Sequence, residues 1–196
     1  MVPDILLKQQ LSAACARCGP RFMSAFLLLS VWLPPTALCS GPDILGLQLG
    51  MKQSVVRELF GKSSILLSEI DPQHLSAPRP LAPLEGVREV RLSFERDELR
   101  KITVLFEMPP YQPTAANLIQ SYEREKERLK QLLGPPTKDT VDMQAPTPEE
   151  RHQWLTRGRG YYLASWVVEN QMKVTLWLYG EDYGIVLMEI YESLEK

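Results

Sequence analysis

Tyr161-Tyr162-Leu163-Ala164-Ser165-Trp166-Val167-Val168-Glu169-Asn170-Gln171-Met172-Lys173-Val174-Thr175-Leu176-Trp177-Leu178-Tyr179 decides the fold class. Side chains alternate between the two faces of a strand, so a period of two marks a half-buried sheet. Tyr162, Ala164, Trp166 and Val168 fall on one side of the first run, with Tyr161, Leu163, Ser165 and Val167 on the other. In the second run Met172, Val174, Leu176 and Leu178 oppose Lys173, Thr175, Trp177 and Tyr179. The joint Glu169-Asn170-Gln171 is short and polar, which antiparallel neighbours require. Gly180 to Gly184 is a second short joint, and Ile185 to Tyr191 is the third strand of a meander.

The same period appears earlier in the chain. Val90, Leu92 and Phe94 alternate with Glu89, Arg91 and Ser93 over 87–94. Ile102, Val104 and Phe106 alternate with Lys101, Thr103 and Leu105 over 99–107, and Glu95-Arg96-Asp97-Glu98 is the turn between the two strands. Helical spacing precedes each group of strands. Val55, Val56, Leu59 and Phe60 give a short helix over about 52–60, with Gly61 as its stop. Leu118, Ile119, Tyr122, Leu129, Leu132 and Leu133 give a long helix over about 114–133. Gly134 caps that helix, and Pro135-Pro136 forbid its continuation. Glu123 to Arg128 read as its solvent face, with Glu125 and Arg128 supporting the helix three residues apart.

Proline-rich stretches at about 62–86 and 137–158 read as long loops. The order helix, two strands, helix, three strands lacks the crossover helices of a doubly wound fold. The expectation is an α+β domain over 41–196, with one antiparallel sheet and both helices on one face. Each half begins with a helix and continues into strands, which hints at an ancient repeat.

If Trp166 and Leu176 face the helices, Trp177 and Tyr179 face away, together with Tyr161 and, on the last strand, Val186, Met188 and Ile190. Tyr161, Trp177, Tyr179 and Met188 are therefore the candidate partner-binding residues, because an open sheet face carrying Trp and Tyr suits a protein partner. Two other readings stay open. The segment Leu75 to Leu84 could fold over that face, or a second copy could cover it.

The segment Ile44-Leu45-Gly46-Leu47-Gln48-Leu49-Gly50-Met51-Lys52-Gln53-Ser54-Val55-Val56-Arg57-Glu58-Leu59-Phe60-Gly61-Lys62 resembles the opening motif of small bacterial envelope proteins. These are the BamE/SmpA-type outer-membrane assembly lipoproteins and proteins of the β-lactamase-inhibitor-like fold. Leu132-Leu133-Gly134-Pro135-Pro136 resembles the same helix exit a second time. Lys52 stands where that family carries a Ser or Thr cap, and Ser63 where it carries a proline. The resemblance implies an exported, non-catalytic α+β module that binds other proteins.

Residues 1–40 read as an export leader. Phe22 to Leu33 is an apolar run too short to span a bilayer as a helix, preceded by Arg17 and Arg21 and ended by Pro34-Pro35. Met1 and Met23 are both candidate starts. Ala37 and Cys39 fit a cleavage site that leaves Ser40 first, which gives a periplasmic or secreted protein. In the rival reading Cys39 is the lipidated first residue and attaches the protein to a membrane, although Leu38 before it is larger than a lipobox prefers. All three cysteines, Cys15, Cys18 and Cys39, lie in or at the edge of this leader, so the remaining domain has no disulfide. The domain is mildly acidic with mixed charges, which gives no electrostatic reason to bind nucleic acid.

Little in the domain points to catalysis. His74 and His152 are the two histidines, both read as loop residues, and no cysteine or His-x-x-x-His pair joins them in a zinc site. No Gly-x-Ser-x-Gly elbow accompanies His152, so a hydrolase ranks third. Thr156 to Gly160 is basic and glycine-rich, but it precedes a strand rather than a helix N-terminus, so it lacks the geometry of a phosphate loop. No cofactor is expected. The function expected from these residues is protein binding or scaffolding in the envelope by an unidentified partner. The alternative is a carrier that holds a lipid or other apolar ligand between the sheet and the long helix.

Overall fold

Two tight hairpins organise the sheet. The computed structural model describes residues 43–108, 115–143, 147–181 and 184–194. Residues 1–40, read above as a leader, lie outside them, with Cys15, Cys18, Cys39 and both candidate starts. At Arg96-Asp97 and at Glu169-Asn170 both central residues have positive φ. That is the turn whose twist matches paired antiparallel strands. The first turn joins β3 (Val87–Glu95) to β4 (Glu98–Phe106), and the second joins β6 (Gly160–Val168) to β7 (Met172–Glu181). The last strand, β8 (Gly184–Ser193), pairs with both β7 and β4.

The expected arrangement of two helices and five strands is incorrect. Among the described residues the sheet has eight antiparallel strands in the order β1-β2-β3-β4-β8-β7-β6-β5, accompanied by three helices. The additional elements lie in the two stretches read as loops. Within 62–86 are β1 (Ser68–Asp71) and β2 (His74–Ala77). Within 137–158 are β5 (Lys138–Met143) and α3 (Pro148–Thr156). β1 and β5 are the two edges of the sheet, where neighbours on one side only demand little apolar alternation. His74 begins a strand and accordingly is not a loop residue; its Nδ1 lies 2.8 Å from Asp71 Oδ1. His152 lies within α3.

The strand order has two matching halves. α1 (Gln53–Lys62) leads into the meander β1–β4, and α2 (Ala115–Leu133) leads into β5–β8, with α3 inserted after β5. The last strands of the two meanders, β4 and β8, pair with each other at the centre.

One face of the sheet is the core. Leu92, Ile102, Tyr191, Val174 and Trp166 form one row across five strands. They belong to a single buried cluster with Val56 and Phe60 of α1, Leu118, Tyr122 and Leu129 of α2, and Leu155 of α3. Trp166 lies in this cluster and donates its indole N–H to the Gly134 carbonyl at 2.9 Å, which ties the end of α2 to β6. Gly134 has φ +83, as a helix C′ residue should. The stop expected at Gly61 moves: α1 runs through Lys62, and the positive φ falls on Ser64. Lys52 makes no side-chain cap. The turn between β3 and β4 does that work instead, with the Gln53 N–H donating to the Asp97 carbonyl at 3.1 Å.

At the other end of the core, α3 closes on β7 at Gly180. A Cβ there would lie 1.4 Å from the Leu155 carbonyl oxygen, so only glycine admits this approach.

Candidate functional site

The face of the sheet turned away from the core cluster is built by the odd-numbered residues of β6 and β7. Paired residues in a ladder share a face. Leu163 pairs with Trp177, and Trp177 with Met188. Tyr161 pairs with Tyr179, and Tyr179 with Val186. Met188 pairs in turn with Leu105 of β4. The four candidates Tyr161, Trp177, Tyr179 and Met188 are thus brought together in two adjacent rows, and all four are partly exposed. The Trp177 and Tyr179 rings lie 4.3 Å apart between centroids, at 30° to each other.

Two details separate this face from the core. Leu105 is 4% exposed, yet it stands outside the cluster beneath the helices. It is buried among the side chains of its own face. The indole nitrogen of Trp177 is also buried, with no hydrogen-bond partner among the described residues. A buried N–H without an acceptor costs about 1–3 kcal/mol. Trp166, on the neighbouring strand β6 and the core face, has its acceptor; Trp177 does not.

The segment Leu75 to Leu84, one of the readings for what covers this face, goes elsewhere. Leu75 and Ala77 are buried on the core side of β2. Leu81 and Leu84 pack against the same core cluster, and the Ala82 N–H donates to the Leu45 carbonyl at 3.0 Å.

The middle of α2 departs from expectation as well. Glu125 is 5% exposed, so it is no part of a solvent face. It accepts from Arg128 Nε at 2.9 Å and from Arg124 Nε at 3.0 Å. Arg128 also donates through Nη2 to Glu189, a fully buried carboxylate on the core side of the central strand β8. The Tyr191 hydroxyl donates to the same carboxylate at 2.7 Å. Burial pushes the pKa of Glu189 above the ordinary carboxylate value, while Arg128 and Tyr191 pull it back. Burial acts against the charge of Arg128, but Glu189 and Glu125 outweigh it and hold its pKa above the ordinary value. Burial, then Glu189, raises the Tyr191 hydroxyl. This network fastens α2 to the sheet. Its two carboxylates are buried and already held by the arginines, and we assign it a structural role. Sequence reasoning missed it because one inward glutamate in an alternating strand resembles a surface residue.

Among the described residues no group of three or more His, Cys, Asp or Glu side chains could hold a metal ion. No described helix is long and apolar enough to cross a membrane. The chain matches no protein family, no curated protein and no solved structure.

Proposed function

We propose that this chain is an exported, non-catalytic protein of the bacterial envelope that binds another protein through the Trp177–Tyr179 face of its sheet. The observation that carries the reading is the close, tilted aromatic pair on the face the helices leave uncovered, with an indole N–H that lacks an acceptor among the described residues. Aromatic anchors of this kind dominate the energetics of protein interfaces. The resemblance of 44–62 to the opening motif of the envelope assembly proteins supports the same reading, as does the leader over 1–40.

The carrier alternative has less support. It needs room between the sheet and α2, and there Leu118, Tyr122 and Leu129 are packed into the core beside the Arg128–Glu189 pair.

The test is a pull-down from a cross-linked envelope fraction. Trp177→Ala and Tyr179→Ala should each reduce recovery of a specific partner at least tenfold without changing the thermal melt. An unchanged partner list would remove the face from the account. The intact mass of the protein recovered from the envelope tests export: we expect a chain beginning at Ser40, and added acyl mass on Cys39 would show a lipid anchor instead.

A further inference from the structure

We infer that two copies of this chain join edge to edge through β5, about a two-fold axis at Thr140, so that their sheets run on as one. The inference goes beyond the partner-binding reading and stands independently of it.

The two edges of the sheet are built differently. β1 has four residues, and a shift between Glu69 and Asp71 interrupts its pairing with β2. Shortness and bulges are ways in which an edge avoids pairing with another chain. β5 has six residues, contains no proline and pairs with β6 without a shift from Lys138 to Met143. No described residue pairs with its outer side. Val141, in its middle, is 55% exposed. A regular edge of this kind, ~20 Å long, presents outward N–H and C=O groups to any strand that matches it. Lys138 is the charge that opposes most such strands, but not one that sets a carboxylate against it.

The strand that does so is a second β5. A two-fold axis normal to the sheet makes the two strands antiparallel and keeps the same face outward in both copies. The charges of β5 are Lys138, Asp139 and Asp142. An axis centred on any of these sets like charge directly on like charge, which is destabilising. Centred on Val141, it pairs neither Lys138 nor Asp142 with an opposite charge. Centred on Thr140, it sets Lys138 of each copy against Asp142 of the other. Among the described residues neither Lys138 nor Asp142 has an ion-pair partner in its own chain. In this register Asp139 lies opposite Val141, and it already has Lys126 of its own α2 at 3.4 Å.

The arrangement has a consequence for the aromatic face. Lys138, Thr140 and Asp142 lie in the rows of Ser165, Leu163 and Tyr161, on the Trp177 side of the sheet. Because the axis is normal to the sheet, both Trp177–Tyr179 faces look the same way. The dimer thus presents two copies of that face side by side.

Sedimentation equilibrium of the whole chain, with reductant to keep its cysteines as thiols, tests the inference. The chain should fit a monomer–dimer equilibrium, and raised salt should weaken the dimer. Asp142→Lys turns both ion pairs into lysine pairs and should raise the dimer dissociation constant at least tenfold. Lys138→Asp combined with Asp142→Lys restores opposite charges in the same register and should recover the dimer to within about threefold. The melting temperature of each variant, taken at a concentration where all are monomers, checks folding.

A chain that stays monomeric would overturn the inference. So would a dimer that Asp142→Lys leaves unchanged, which would place self-association elsewhere, residues 1–40 included. Loss in Asp142→Lys without recovery in the double variant would remove the register centred on Thr140, and the inference with it. A dimer abolished by Trp177→Ala would mean that copies meet through the sheet face instead. Failure here leaves the partner-binding reading in place, since that reading is measured by the pull-down and not by the mass of the free chain.

Discussion

At the scale of single residues, the Arg128–Glu189 pair is where the fold is most exposed to a point change. Removing one member of a buried ion pair leaves the other uncompensated, which costs about 3 kcal/mol or more. Arg128→Met should therefore lower the unfolding free energy by that order, measured by urea denaturation. The loss should depend on pH. The folded pKa of Glu189 is raised above its ordinary 4.5, chiefly by burial. Its contribution to stability is therefore fully present below 4.5 and is lost as the pH rises through the folded value. Without Arg128 the folded value rises further. The deficit of Arg128→Met should be largest near neutral pH and shrink on acidification. Glu89 has the opposite sign, since Arg91 holds its pKa down, but it contributes equally to both proteins and cancels in the comparison. A deficit that does not change with pH would contradict the assignment of a buried charge at Glu189. None of this was legible in the sequence. Glu125 sits in a run of alternating charges, and nothing in its neighbours marks it as the one that turns inward.

At the scale of elements, legibility followed length and alternation. The long central strands were readable because each has one buried face and one uncovered face. β1 and β2 have four residues each, too few to establish a period. β5 is an edge strand, Lys-Asp-Thr-Val-Asp-Met, with polar residues on both faces. α3 did carry a signal that went unread. Thr147 accepts from the Glu150 N–H at 3.4 Å and Pro148 opens the helix, a combination of N-cap and first-turn proline. The same helix supplies a prediction. Gly180→Ala would press a methyl group into the Leu155 carbonyl. We expect a loss of about 3 kcal/mol, with α3 displaced from β7. Thermal or urea denaturation measures the loss. A change below about 1 kcal/mol would mean that α3 does not close on β7 at this point.

At the scale of the whole molecule, the two halves meet at β4 and β8, and this seam runs beneath both faces. On the core side it carries Glu189, held by α2. On the other side Leu105 and Met188 pair across it and continue the aromatic rows of β6 and β7. Alternation along single strands was enough to group Tyr161, Trp177, Tyr179 and Met188 on one face. It could not show that Leu105 joins them across the seam, because the pairing of β4 with β8 links strands far apart in the chain. The central claim is that this face, and not the helical one, receives a partner. Site-specific photo-cross-linking in cells tests it most directly. The photoreactive residue benzoylphenylalanine is placed at Trp177 or, as a control, at Leu132, an exposed position on α2. The account predicts a discrete adduct from position 177 and none from position 132. An adduct from position 132 alone, or equal adducts from both positions, would contradict it.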